Sequence, residues 1–97
     1  MMILVTYDVS FDDPGGQRRL RHISKACLDH GVRVQYSVFE CELEPYQWVR
    51  LKAKLFEIYN EETDSLRFYM LGKRWRGKVE HFGAKKSLDI FKDSLIV

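Results

Sequence analysis

Apolar and polar positions divide the chain into strand-like and helix-like stretches. Met2 to Tyr7 is β-branched, aliphatic and aromatic, without Gly or Pro, and reads as a strand. Both of its alternating sets are apolar, Ile3, Val5 and Tyr7 on one side and Met2 and Leu4 on the other. That pattern predicts a central strand covered on both faces. Phe11-Asp12-Asp13-Pro14-Gly15-Gly16 is a run of turn formers. Leu20, Ile23 and Cys27, with Ala26 beside them, then recur at helical spacing. A helix is predicted from Gly16 or Gln17 to His30, with Gly31 as its C-terminal cap. Arg18, Arg21, His22 and Lys25 fall on its opposite, solvated side.

From Val32 to Leu43 the residues Val32, Val34, Tyr36 and Val38 alternate with Arg33, Gln35, Ser37 and Phe39. The stretch is long for one strand, so a bend near Gln35–Ser37 or two consecutive strands are expected. Glu44-Pro45 opens a second helix with proline in its first turn. Its core stripe is Trp48, Leu51, Leu55 and Ile58, widened by Phe56 and Tyr59, and Asn60 with the acidic stretch Glu61–Asp64 ends it. Ser65 to Leu71 is a strand in which Leu66, Phe68 and Met70 alternate with Arg67 and Tyr69. Gly72–Gly77 reads as a basic turn and Lys78–Gly83 as a further strand anchored by Val79 and Phe82. Residues 84–94 are irregular in pattern, and Ser94-Leu95-Ile96-Val97 is an apolar end, expected to dock as an edge strand or on another subunit.

This order predicts an α+β fold, a ferredoxin-like βαββαβ sandwich, as one domain over residues 1–97 with 84–97 as a C-terminal strand extension docked at a dimer interface. Both helices would cover one sheet face. Met2, Leu4, Phe39 and Leu71 would leave the other face apolar, and a homodimer formed sheet to sheet would cover it.

Composition narrows the class. Of the 97 residues, 45% are hydrophobic and 31% charged, the balance of a soluble globular domain that needs no staples. Cys27 and Cys41 form no Cys-x-x-Cys pair and read as core residues in a reducing compartment. The start lacks a basic n-region and an apolar stretch of signal length, and no segment is long and apolar enough for a membrane span. A cytoplasmic location with no membrane partner is expected. The net charge of +2 says little, but its distribution is uneven. Arg18, Arg19, Arg21, His22 and Lys25 form one basic cluster, and Lys73, Arg74, Arg76 and Lys78 form another around Trp75. Such clusters suit an anionic polymer, with Trp75 available for stacking. The plainer reading, and for the helix run the commoner one, is the wet face of an amphipathic helix and a solvated hairpin tip with a half-buried Trp75.

No Gly-rich phosphate loop, His-Glu-x-x-His or Gly-x-Ser-x-Gly motif is present, and His22, His30 and His81 lack metal-ligand spacing. Asp8 is the residue of chemical interest, a carboxylate where a buried strand emerges. It reads either as a strand terminator that caps the next turn or as a metal or proton-transfer group. One carboxylate is thin for a hydrolytic metal, and a two-fold axis near the strand end would supply a second Asp8. Asp12 and Asp13 read as turn and cap residues. Arg33 stands out because it interrupts an otherwise apolar strand.

Three stretches together resemble CRISPR-associated protein 2, the small core protein of spacer acquisition. They are Leu4-Val5-Thr6-Tyr7-Asp8-Val9, the run from Gly31 through Arg33-Val34-Gln35-Tyr36-Ser37-Val38-Phe39 to Glu40, and Asp64 to Gly72. The resemblance covers nearly the whole chain in order. It implies a homodimer with facing Asp8 carboxylates and Mg²⁺ or Mn²⁺ between them. It implies a metal-dependent endonuclease on RNA or double-stranded DNA, or else a non-catalytic DNA-binding scaffold for the larger integrase subunit. By motif it places Asp8, Tyr7, Arg33 and Phe39 at the catalytic site, with Asp8 as metal ligand. Nucleic-acid contacts would come from Arg18 and Arg19 and from Lys73, Arg74 and Arg76. A protein-interaction module docking through Leu95–Val97 and a generic RNA binder are the rivals outside that family.

Overall fold

The computed structural model describes residues 1–83. Its elements are β1 (Met2–Asp8), α1 (Gly16–Leu28), β2 (Gly31–Gln35), β3 (Val38–Glu42), α2 (Pro45–Ile58) and β4 (Ser65–Gly72), followed by a 3-10 turn at Trp75–Lys78. The strands form one antiparallel sheet in the order β2-β3-β1-β4. This is the ferredoxin-like βαββαβ arrangement, with β1 as an inner strand between β3 and β4. The long central stretch is two strands joined by a tight turn at Tyr36–Ser37.

Residues paired across an antiparallel ladder share a sheet face. Val5 pairs with both Phe39 and Phe68, and Ile3 pairs with Cys41. These residues, with Tyr7, face the helices. Ile3, Val5, Tyr7, Phe39 and Cys41 are buried against Leu20, Ile23 and Cys27 of α1 and Trp48, Leu51 and Leu55 of α2. Phe68 meets Trp48 edge-on, with ring centroids 4.8 Å apart. Phe39 therefore belongs to the helix-side core, not to the open face where sequence alternation put it. Alternation within one strand does not say which residues of another strand share its face, and pairing with Val5 settles that for Phe39. The open face instead carries Leu4, Thr6, Val38, Glu40, Arg67 and Tyr69. Met2 is fully buried.

Two helix boundaries have identifiable causes. The Glu44 amide donates to Gln47 Oε1 at 2.8 Å, and Pro45 occupies the first turn of α2, as predicted. α1 stops at Leu28, where the Asp29 and His30 amides return to the Lys25 and Cys27 carbonyls. Gly31 is not the left-handed cap expected of it. It opens β2, and a Cβ there would lie 1.8 Å from the Glu40 carbonyl oxygen, so glycine is required by the close approach of β3.

The strand predicted at Lys78–Gly83 does not form. Lys78 closes the 3-10 turn, its Nζ donating to the Leu71 carbonyl at 2.9 Å, and residues 79–83 join no ladder. Two anchors, Val79 and Phe82, are too few to specify a strand, and Phe82 is 84% exposed. The extension predicted over 84–97 lies outside the described residues. Among the described residues, no helix is long and apolar enough to cross a membrane.

Candidate metal and nucleic-acid site

β1 delivers two consecutive residues to opposite environments. Tyr7 points to the helix side and is 1% exposed, whereas Asp8 is exposed on the open side, its backbone paired with Ser65 of β4. The Tyr7 phenol donates to Asp64 Oδ2. Burial first, and then this bond, push the phenol above its ordinary value, so Tyr7 stays neutral near pH 7.

Asp64 is the hub of this end of the molecule. Its side chain is fully buried yet charged. Oδ2 accepts from the Tyr7 phenol, from Arg19 Nε at 2.7 Å and from the Asn60 amide at 3.1 Å. Oδ1 accepts from the Ser10 amide at 2.9 Å, from Arg19 Nη2 at 3.2 Å and from the Thr63 hydroxyl at 3.2 Å. Burial disfavours the carboxylate, but Arg19 and the other donors outweigh it and hold Asp64 well below the usual carboxylate range. Arg19 also reaches Asp13 Oδ1 at 3.1 Å and the Ser10 carbonyl at 3.2 Å. The bond from Arg19 likewise lowers Asp13. Sequence reading places Asp64 at the end of the acidic stretch that closes α2 and at the head of the third resembling stretch, with no site role. An acid directly preceding the strand that pairs with β1 is the available signal, and its burial emerges only once Arg19 is seen to face it.

The residues expected at the site are thus distributed differently from the expectation. Asp8 is the accessible carboxylate. Tyr7 and Phe39 are core residues, with Phe39 fully buried. Arg33 lies on β2, separated from β1 by β3, and pairs with Phe39 on the helix side. Its Nη2 donates to Ser24 Oγ, and its guanidinium lies 5.2 Å from the Phe39 ring centroid. Asp8 and Arg33 therefore occupy opposite faces of the sheet within one chain. Arg19 is directed inward to Asp64 and Asp13, its side chain 15% exposed, whereas its neighbour Arg18 is exposed.

Lys73, Arg74 and Arg76 are exposed in the segment after β4. Gly72 pairs with Met2, so this segment emerges beside the start of β1. The first turn of α1 packs at the other end, where Gly16 approaches Ser10. The two basic clusters thus flank β1 lengthwise. Trp75 is buried and covered by Arg76, whose guanidinium lies 4.4 Å from its ring centroid, so it offers no stacking face.

Among the described residues, no three His, Cys, Asp or Glu side chains cluster closely enough to hold a metal ion. Asp8 supplies a hard, exposed oxygen donor, the right chemistry for Mg²⁺ or Mn²⁺, which bind through one or two carboxylates with water and phosphate oxygens completing the shell. It fits as one ligand, and the remaining ligands must come from outside this set.

Comparison with known proteins bears on the family and the fold. A protein of Nitratidesulfovibrio vulgaris named CRISPR-associated endoribonuclease Cas2 is 62% identical over 89 residues, covering 92% of this chain and 87% of that one. A Halalkalibacterium halodurans protein named CRISPR-associated endonuclease Cas2 is 50% identical over 96 residues, covering 99% of both. The crystal structure of Streptococcus pyogenes Cas2 at pH 6.5 matches with a TM-score of 0.77 and 54% identity, over 86% of this chain and 100% of that one. The family model for CRISPR associated protein Cas2 matches residues 1–79, which include the four strands and two helices of the described residues and the Asp8–Asp64 end of the sheet, and the chain belongs to that family.

Proposed function

We propose that this protein acts in CRISPR spacer acquisition as a homodimeric, metal-dependent endonuclease on RNA or double-stranded DNA. The observation that carries this reading is the exposed Asp8 carboxylate at the end of an inner strand whose backbone is held on both sides. The names of the relatives support nuclease chemistry. In a homodimer joined through the open sheet face, Leu4, Val38 and Tyr69 would be covered, and a second Asp8 would approach the first. Mg²⁺ or Mn²⁺ bound there would supply Lewis-acid polarisation of a phosphodiester and a more acidic water. Asp8 orients that cation and offers a negative, accessible oxygen at the strand end. Arg18, Lys73, Arg74 and Arg76 neutralise substrate phosphates and orient the polymer over the site. Tyr7 and Arg19 act from within, by holding the loop that follows Asp8. Arg33 and Phe39 shape the β2–β3 edge.

Asp8→Asn preserves size and removes charge, and is expected to abolish Mg²⁺-dependent cleavage of RNA and duplex DNA while binding persists. Cleavage that survives in Asp8→Asn would place the chemistry elsewhere.

One observation favours a second reading. Among the described residues no group of three His, Cys, Asp or Glu side chains that could hold a metal ion forms around Asp8. A non-catalytic dimer that holds duplex DNA for the larger integrase subunit needs the basic surface and not the carboxylate. Wild-type protein that binds duplex DNA but cuts nothing at any Mg²⁺ or Mn²⁺ concentration would select this scaffold.

A further inference from the structure

Asp8 sits between two residues that Asp64 grips. Tyr7, before it, donates its phenol to Oδ2, and Ser10, two residues after it, donates its amide to Oδ1. Asp8 itself pairs with Ser65, the residue that follows Asp64. The loop is held from a third direction as well. The Ser10 carbonyl accepts from Arg19, whose guanidinium is oriented by Asp64 through two bonds. Gly16 packs so closely here that a Cβ would lie 2.3 Å from the Ser10 carbonyl oxygen.

We propose that Asp64 is a positioning residue for Asp8: through Tyr7, Ser10 and Arg19 it fixes the direction in which the Asp8 carboxylate leaves the sheet. This rests on the reading of Asp8 as a cation ligand. An apolar side chain of similar volume at position 64 would fill the core without desolvating a charge. It could not accept donors from both flanks of Asp8. A ligand whose supporting shell is fixed binds its ion without reorganising, and removing such support weakens metal binding even where the fold survives.

The test compares full-length wild type with Asp64→Asn, Tyr7→Phe, Leu51→Ala and Asp8→Asn. Asp64→Asn keeps the shape but turns one acceptor into a donor that faces N–H and O–H groups. Tyr7→Phe removes a single bond to Asp64. Leu51 is buried in α2 and makes none of these contacts, so Leu51→Ala controls for lost stability alone. Each protein is read at a temperature where it is fully folded, by hydrogen exchange at the Ser10 amide and by calorimetric titration with Mn²⁺.

Asp64→Asn is expected to speed Ser10 exchange and to weaken Mn²⁺ binding by about 10–100-fold. Tyr7→Phe should shift both in the same direction by less, and it carries the test if Asp64→Asn does not fold. Leu51→Ala should leave Mn²⁺ affinity unchanged. Wild-type Mn²⁺ affinity in the folded Asp64 and Tyr7 variants, or an equal loss in Leu51→Ala, overturns the positioning role. If Asp8→Asn abolishes Mn²⁺ binding while Asp64→Asn leaves it intact, only the role of Asp64 falls. If Asp8→Asn binds Mn²⁺ like wild type, the reading of Asp8 fails, and the positioning role fails with it.

Discussion

Asp8 and Asp64 lie almost side by side, since Asp8 pairs with Ser65, yet the sheet separates their environments. Asp8 is exposed on the open side. Asp64 is sealed on the helix side with three hydrogen bonds to each oxygen. Arg18 and Arg19 repeat the contrast on α1, one facing solvent and the next facing Asp64. Identical or like-charged side chains that are neighbours, across the β1–β4 ladder or along α1, thus divide into an outward pair exposed to solvent and an inward pair that holds the structure. Charge at a sequence position carries no functional meaning until the burial of that position is known.

The inward pair predicts the largest effects. Asp64→Ala leaves Arg19 Nε, the Tyr7 phenol and the Ser10 amide without their acceptor, and should cost about 3–5 kcal/mol in chemical denaturation. Arg19→Ala should cost a similar amount. A double variant only slightly worse than either single one would show that the two act as a unit. Additive losses would break the pairing on which the comparison rests.

Acid should reveal the same division. Asp64 titrates below its unfolded value, so the stability it contributes is present above the ordinary carboxylate pKa, about 3.9, and is lost as pH falls through its folded value. Asp13 shifts in the same direction. Thermal midpoints of the wild type should therefore fall steeply below about pH 4, and Asp64→Asn should show a shallower slope over the same range. Parallel slopes would mean that other carboxylates dominate acid unfolding.

The outward pair should be nearly silent in stability. Asp8→Asn and Arg18→Ala are each expected to change unfolding free energy by no more than about 0.5 kcal/mol. The smallest and most selective effect belongs to Arg18. Its replacement should lower the slope of log affinity against log salt by about one unit for duplex DNA. Folded Arg19→Ala should leave that slope unaltered, and an equal change in both variants would erase the distinction between them.

Much of the fold was readable in the pattern of residues, and the failures have physical causes. Strongly periodic segments such as Leu20/Ile23/Cys27 and Trp48/Leu51/Leu55 became helices, because each stripe has a sheet to cover. The break at Tyr36–Ser37 followed from strand length. Phe39 was grouped with Met2 and Leu4 and so placed on the wrong face, since pairing with Val5 decides the face and no local property of β3 encodes that pairing. Gly31 looked like a helix cap because helix caps are where glycine is commonest, whereas its cause is a backbone from the other side of a hairpin. The exposed position of Asp8 at the end of β1 was legible because an acid at the end of an apolar strand is locally anomalous. Asp64 was not, because acidic neighbours at Glu61 and Glu62 make it look solvated. Arg19 was misplaced for the same reason, in a row of exposed arginines and lysines. Long-range partners, here residues 19 and 64, decide which member of a charged run turns inward.

The placement of the basic segments at the two ends of β1 sets a length scale. The strand has seven residues, and at about 3.3 Å per residue its ends lie roughly 20 Å apart. Duplex DNA rises about 3.4 Å per base pair, so a helix lying along β1 would need roughly six base pairs to touch both ends of one protomer. A mononucleotide or a dinucleotide can meet one end only. Affinity should therefore rise in a step as the duplex grows past that length, as a ruler reads only objects that reach its second mark.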